Sequence, residues 1–338
     1  MLRGATIILA LMLAFLSSPS TRAQAQSVEA FYRGKTVTVV IGYGVGGSDD
    51  LWGRLVARYL GRHIPGQPLV VAQNMPGAGS LVAANQIYNV APKDGTIIGV
   101  INRGLPFEPL LGGAGVQFDP RKFNWLGSPD RDVIVAYVRT DAPLKHVSEL
   151  REKELIVAAT GSGADSQTYP QVLAQLFGWK LRIVQGYPGS RDMNLAVERN
   201  EVHGTFISYD TAAREPTFAD GSRRLFLQGA MTPDERMKDV PTLAGLAQSQ
   251  AEQRAVDFFL LRAGMGRPFV VAPGVPLDRL AALREAFAAA LRDPDLIEET
   301  KKLRLNIAYV SPDDLRALVD KGYEADKETL ERVNKAMR

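Results

Sequence analysis

Apolar and polar positions along this chain fall into two alternating rhythms. Short runs rich in Val, Ile and Leu at 37–41, 69–72, 96–101, 133–138, 155–159, 181–185, 205–208 and 269–272 predict strands. Between them, 51–61, 80–90, 168–177 and 192–199 have helical spacing or composition, with Gly61 and Gly178 as stops. Strand–helix alternation of this kind predicts an α/β fold with mostly parallel sheets. The C-terminal third changes character. Leu280, Leu283, Phe287 and Leu291 fall on one face of a helix over 276–291, with Pro276 in its first turn. Ser311-Pro312-Asp313-Asp314 matches a capping box and opens a last helix toward Val333. No tandem repeat of fixed period is present.

The stretch 36–54, TVTVVIGYGVGGSDDLWGR, carries the most chemical information. A β-branched strand runs into a glycine-dense turn, then Ser48-Asp49-Asp50, then an apolar helix. Such a turn collects free backbone N–H groups and a helix N-terminus at one place, a ready site for an anion such as a carboxylate. Residues 155–166 echo it: strand, then Gly161-Ser162-Gly163-Ala164-Asp165-Ser166, then helix. Ligands of open α/β sheets bind at the carboxyl ends of strands, so two such turns, one per domain, suit opposite walls of a cleft. Two unrelated βα turns are the plainer alternative.

The first 25 residues read as an export leader. Arg3 supplies the positive start, 5–16 is an unbroken apolar run, and Ala23-Gln24-Ala25 fits the small-x-small cleavage rule, which places the mature start near Gln26. The run is too short to anchor in a bilayer, and no later segment has 18 apolar residues in succession, so a soluble periplasmic protein is expected; an uncleaved anchor is the lesser alternative. The rest of the 338 residues is long enough for two domains with real cores. Removing Arg3 and Arg22 from 40 basic residues leaves 38 against 37 acidic ones. That balance, with no basic tract or RNA-type aromatic motif, gives no reason to expect a nucleic-acid partner. The absence of cysteine excludes a lipid attached after the leader, disulfide scaffolding and thiolate chemistry.

Enzyme chemistry fares poorly. Gly42-Tyr43-Gly44-Val45-Gly46-Gly47 has the outline of a dinucleotide fingerprint, but that fold needs an acid at the end of its second strand, and none occurs between Asp50 and Asp94. No G-x-S-x-G is present, and His63, His146 and His203 lie at neither triad nor metal-ligand spacing, so they read as structural or surface residues. No catalytic residue, cofactor or metal is expected. Asp49 and Asp50 suit a helix start better than an acid–base pair. Arg54, Arg58 and Arg62 share a helix face, either a solvated stripe or a docking surface for a protein partner.

Taken together, these residues resemble the extracytoplasmic receptors of tripartite tricarboxylate transporters, the Bug (Bordetella uptake gene) family. The likeness covers nearly all of the chain after the leader. It rests on Tyr43, Val45-Gly46-Gly47-Ser48-Asp49-Asp50 and Arg54; on Asn74-Met75-Pro76-Gly77-Ala78-Gly79; on Pro92-Lys93-Asp94-Gly95-Thr96; on the second glycine turn at 161–166; on Tyr187-Pro188-Gly189-Ser190; on Val240 to Leu243; and on Ala272-Pro273-Gly274-Val275-Pro276. Each motif is weak alone, and their order and spacing are specific. Gly42 and Gly44 stand where the family commonly has prolines, which frees the backbone of the first turn, and Val275 replaces a usual Thr.

The resemblance implies a two-lobed periplasmic-binding-protein fold (type II, Venus-flytrap) with a cleft between the lobes. Residues 26–128 plus 254–338 would form a discontinuous first lobe and 129–253 the second, with crossings near Ser128 and Gln253 and the C-terminal helices packed back on the first lobe. It implies a monomeric receptor, not an enzyme, that captures a small organic acid and delivers it to the permease subunits of a tripartite transporter. In the family's device, backbone N–H groups and small hydroxyls hold a ligand carboxylate. Gly46, Gly47 and Ser48 would act from the first lobe, and Thr160, Ser162, Gly163 and Ser166 from the second. Tyr43 and Tyr187 would stack on or cap the ligand, and Asn102, Tyr209 and Asp210, just past strands, would select its distal group. Turn stabilisation and core packing are the alternative roles for these last residues. A receptor of an ABC-type transporter and a periplasmic sensor feeding a membrane kinase remain open as functions. The ligand class also remains open: dicarboxylate, tricarboxylate, aromatic acid, amino acid or neutral solute.

Overall fold

Strands at the centre of a sheet covered by helices must be apolar on both faces, and the β-branched run after Lys35 meets that condition. The structure, a computed structural model, describes residues 27–131, 133–161, 164–214, 217, 220–230 and 232–337. The expected leader and two expected site residues, Ser162 and Gly163, lie outside the described residues. In the first sheet β1 (Thr36–Ile41) lies between β2 (Leu69–Asn74) and β3 (Ile97–Val100), all parallel, with Thr36 opposite Leu69 and Thr38 opposite Ile97. Strands β4 (Asn124–Gly127) and β10 (Phe269–Val271) complete it; β10 runs antiparallel to both β3 and β4. In the second sheet β6 (Leu155–Ala158) lies between the parallel strands β7 (Leu181–Val184) and β8 (Gly204–Ser208). Strand β5 (Ile134–Arg139) runs antiparallel to β8 and to β9 (Arg223–Gly229).

The sheet orders are β2-β1-β3-β10-β4 and β7-β6-β8-β5-β9. They coincide when β1 is matched with β6. The two glycine turns therefore leave the same strand of equivalent sheets, and their echo reflects shared architecture. The chain enters the second sheet after β4 and returns to the first for β10.

Helices cover the sheets: α1 (Val28–Tyr32), α2 (Ser48–Leu60), α3 (Leu81–Asn89), α4 (Asp165–Phe177), α5 (Ser190–Glu198), α6 (Tyr209–Ala212), α7 (Gln250–Gly264), α8 (Leu277–Ala290), α9 (Pro294–Lys302), α10 (Pro312–Tyr323) and α11 (Lys327–Met337). Trp52, Leu55 and Leu60 of α2 pack with Ile41, Phe269 and Phe287 in an outer core of the first sheet, and Tyr137, Met193 and Val197 belong to that of the second. A third core runs continuously between the sheets, from Val40, Ile87 and Trp125 to Tyr169 and Phe206. Helix α7 is its spine: Phe258 meets Phe107 at 5.9 Å between ring centroids, and Phe259 meets Tyr169 at 4.8 Å.

The C-terminal helices divide their packing. Helix α8 lies on β4 and α2, α9 on α2, and α10 on β4 and α7, whereas α11 lies along α4 and α7. The single last helix expected from 312 toward 333 is in fact two, because the Asp326 carboxylate accepts the Thr329 N–H at 2.7 Å and caps a new start. The arginine face of α2 is partnered within the chain: Arg54 bonds Asp50, Arg58 pairs with Glu299, and Arg62 reaches Asp295 at 2.8 Å while its guanidinium covers the Tyr59 ring. Among the described residues no helix is long and apolar enough to cross a membrane.

Candidate functional site

The first glycine turn begins where β1 meets its neighbours. The Gly42 N–H donates to Val100 O at 3.0 Å, and a Cβ at Gly42 would run into the Ser80 side chain. Glycine is therefore required here, and a proline would lose the bond as well. Ser80 ends a run of positive φ values, +150° at Gly77, +46° at Ala78, +60° at Gly79 and +77° at Ser80. Two of these are side-chain-bearing residues, and strain of this kind persists only where neighbours fix it. One such neighbour is Asn102, whose N–H donates to Ser80 Oγ at 3.2 Å.

The turn's donors face inward. The Gly46 N–H donates to Asp50 Oδ2 at 2.9 Å, and the same carboxylate accepts from Arg54 Nε at 2.9 Å and Asn74 Nδ2 at 2.7 Å. Burial alone would raise the Asp50 pKa; the bonds from Arg54, Asn74 and Gly46 outweigh it and hold the group below the usual carboxylate range. Gly47 opens α2 with extended, exposed backbone. Ser48 Oγ accepts from Arg267 Nη2 at 2.9 Å. Arg267 is buried and pairs with Asp130, which also is buried. In the second turn Ser166 Oγ lies 3.1 Å from both the Thr160 N–H and the Thr160 hydroxyl.

The loop after β3, which braces the first turn, meets the second turn across the lobe boundary. Arg103, one residue past Asn102 beyond the end of β3, pairs with Asp165 at the start of α4 (Nη2 to Oδ2, 2.6 Å). Arg262 of α7 reaches the other oxygen of Asp165 at 3.1 Å. Asn102 Nδ2 donates to the Tyr43 hydroxyl at 2.5 Å, and Asn102 Oδ1 accepts the Gly104 N–H at 2.6 Å. Burial first, then the charges of Asp49 and Asp165, push the Tyr43 phenol well above its ordinary value, with Arg103 and Asn102 opposing. Tyr43 of one lobe thus sits in the field of an acid of the other. Beside this cluster lies a cavity of about 510 Å³, lined on one side by Ala78, Gly79, Asn102 and Glu108, on the other by Gln167 and Thr168, and by Arg262 of α7, among others.

The structure thus pairs Tyr43 with Asn102 and Thr160 with Ser166, and of these expected residues Asn102 lines the cavity. It places the other expected residues elsewhere. Tyr187 packs against the outer core of the second sheet, its phenol raised by burial and then by the Glu201 carboxylate. Tyr209 lies under the Arg236 guanidinium at 4.3 Å, and Asp210 accepts from Arg236 at 3.1 Å. The histidines serve structure: His63 meets Asp293 at 2.9 Å, and His203 Nδ1 accepts the Ile156 N–H at 3.0 Å. Among the described residues no cluster of three or more potential ligands could hold a metal ion. Arg103, Glu108, Gln167 and Arg262 are site residues that sequence inspection did not single out. Only Arg103, at a strand's carboxyl end, carried a usable signal.

Two α/β lobes of the same sheet order with a cavity between them are the architecture of a two-lobed periplasmic solute-binding protein. The model of the tripartite tricarboxylate transporter family receptor matches residues 54–334, and the chain belongs to that family, one of receptors rather than enzymes. A Cupriavidus necator relative, the UPF0065 protein in the gbd 5' region, is 25% identical over 311 residues, covering 89% of this chain and 88% of its own. The fold is similar to that of a TctC solute-binding protein from Polaromonas, with TM-score 0.67, 19% identity, and coverage of 90% of this chain and 99% of that one. It is also similar to MatC from Rhodopseudomonas palustris with bound malate (TM-score 0.63, 21% identity, 90% and 99% covered) and to an R. palustris protein with adipate (TM-score 0.65, 21% identity, 90% and 97% covered).

Proposed function

We propose that this chain is exported by its leader to the periplasm, captures a small organic carboxylate between its lobes, and hands it to the permease subunits of a tripartite transporter. The lobes are residues 26–128 with 254–338, and 129–253. The observation that carries this proposal is the pairing of Arg103, in the loop after β3, with Asp165 of the β6 turn beside an inter-lobe cavity. Two proteins of similar fold hold dicarboxylates, malate and adipate, which supports an acid as the cargo. Gly47 and Ser48 at the start of α2, and Thr160 and Ser166 with the sequence-neighbouring Ser162 and Gly163, hold the acid near helix N-termini, where partial positive charge and low dielectric favour it. A ligand that touches both lobes draws them together by its greater affinity for the closed form.

The test is thermal melting of ligand-stripped protein with a panel of mono-, di- and tricarboxylates. A matched acid at a hundred times its Kd stabilises by about 2.7 kcal/mol, several degrees in Tm. Ser162→Ala is expected to reduce that shift while leaving the unliganded Tm within about 2 °C, and Ser48→Ala to reduce it while also lowering the unliganded Tm by a few degrees, because the buried Arg267 loses an acceptor. Melting that no carboxylate moves would count decisively against capture.

A further inference from the structure

The two sheets end on equivalent edge strands, β2 and β7, and the chain treats them differently. An open edge invites a foreign strand, and charge is the usual guard against one. Strand β7 carries Arg182, exposed and paired with Glu154 at 3.2 Å, and Lys180 stands just before it. Strand β2 has no such guard: no charged residue occurs between His63 and Lys93, and Leu69 and Val71 are 64% and 37% exposed. We infer that β2 is a docking edge for a second copy of this chain, which adds its own β2 antiparallel across a twofold axis at Ala72. The monomer expected from the sequence is then the dilute state.

The register with β1 decides which groups the edge offers. The Leu69 N–H donates to Lys35 O and the Met75 N–H to Ile41 O, so the odd-numbered residues of β2 turn their N–H and C=O groups toward β1. Val70, Ala72 and Asn74 turn theirs outward, and among the described residues none of these three N–H groups donates within the chain. Pro68 and Pro76 bound the segment, and neither has an N–H to extend a ladder. The segment is symmetric about Ala72. Antiparallel pairing centred there sets Val70 against Asn74, Ala72 against itself and Pro68 against Pro76, so each outward residue exchanges both hydrogen bonds with its opposite. A foreign strand could use the same groups, but the copy brings a ladder of the same length, closed by proline at both ends. Val70 and Ala72 rest on the outer core under α2, and Leu69 and Val71 alternate to the opposite, exposed face. In the pair Leu69 lies opposite Met75 and Val71 opposite Gln73, which covers apolar side chains that otherwise meet water. The cation that reaches this edge, Arg54, bonds Asn74 Oδ1 and is balanced by Asp50. Asn74 also donates to Tyr43 O and to Asp50, so the pairing ends where the first turn is braced.

One strand edge makes a small interface, so the association is weak, with a Kd on the order of 10 µM. Sedimentation equilibrium of the exported protein from about 1 to about 100 µM is expected to show monomer passing into dimer. Val71→Lys sets two ammonium groups on diagonal neighbours across the axis. Ala72→Pro removes the central outward N–H from an edge that tolerates proline. Each is expected to weaken the dimer at least about tenfold and to leave the monomer's far-UV circular dichroism unchanged. The chain has no cysteine, so Ala72→Cys adds a single reporter. A hydrogen-bonded antiparallel pair holds its Cα atoms about 5.5 Å apart, within disulfide reach. Mild oxidation is therefore expected to cross-link Ala72→Cys at least about tenfold faster than Leu69→Cys, which the register places opposite Met75 of the copy. A protein that stays monomeric throughout that range, a dimer that either folded variant leaves intact, or equal cross-linking at 69 and 72 overturns the proposal. If one edge variant does not fold, the other decides with the cysteine pair.

Discussion

The two βα turns occupy the same place in sheets of the same order, yet they spend their first-turn acids in opposite ways. In α2 the buried Asp50 turns back on its own loop, taking the Gly46 N–H, the Arg54 guanidinium and the Asn74 amide. In α4 Asp165 turns outward and takes Arg103 from the other lobe and Arg262 from the helix between the lobes. Helix-start chemistry is the same in both, favouring an acid near unsatisfied N–H groups. What differs is the cations within reach. The first turn is a fixed wall, tied through Ser48 to the buried Arg267–Asp130 pair at the chain crossing. The second is a contact between the lobes. Architecture repeats, and the neighbours decide which copy is anvil and which is latch.

Removing the anchor of the fixed wall has the largest expected effect. Arg267→Ala removes the cation paired with Asp130, 1% exposed, and is expected to cost about 3–5 kcal/mol, read as a fall in denaturant midpoint with the slope unchanged. A loss below about 1 kcal/mol would mean that Asp130 is held by other groups and that the first turn is not anchored there. The latch responds differently. Asp165→Asn keeps the side chain's shape and an oxygen acceptor but removes the counter-charge of two largely buried guanidiniums, so stability is expected to fall by about 3 kcal/mol. Affinity for a dicarboxylate is expected to rise about tenfold, because the freed cations offset its second charge. Diacid affinity that is unchanged or reduced in titration would show that Asp165 does not compete with ligand for Arg103.

How far the sequence foretold this arrangement depends on where each residue's partners lie. The β1 and β6 turns were legible because a β-branched run, a glycine cluster and a helix start are local signals. Strand β9 was not, because it opens with Arg223, a buried cation held by Glu198 and set against the Tyr137 ring, where a strand pattern expects an apolar residue. Helix α7 was missed because Phe258 and Phe259 serve opposite lobes, so no single apolar stripe forms. At the site the glycine loops and Tyr43 could be named from their motif, but Arg262 comes from a helix whose only relation to the cleft is tertiary. Asn102 is expected to select a ligand's far end; it lines the cavity, and its amide also braces Tyr43 and the turn at Gly104. Composition reveals that a polar side chain follows a strand, and only packing reveals how many of its bonds are already taken.

Acid sensitivity is the subtlest way to separate wall from latch. Asp50 has a folded pKa below its unfolded one. As pH falls, the unfolded chain takes up that proton first, so the stability the carboxylate contributes is complete above the unfolded value and lost as pH drops through the folded one. The window lies below about pH 4, the ordinary range for an aspartate. Asp293, which caps α9 and bonds His63, is depressed in the same sense: burial acts to raise it, and the bonds from His63 and the Asp295 N–H, with Arg62 nearby, prevail. Both lie on the first lobe, and α9 packs on α2. Tm measured from pH 6 to pH 3 is therefore expected to fall less steeply below about pH 4 in Asp50→Asn than in the parent, with Asp293→Asn showing a similar flattening. Above that range the curves of variant and parent should run parallel, offset by the bonds that an amide in place of the carboxylate cannot make. If the acid limbs of variant and parent superimpose, Asp50 does not stay ionised to lower pH in the folded chain, and the first turn is held by packing around Gly42 and Ser80 rather than by its carboxylate.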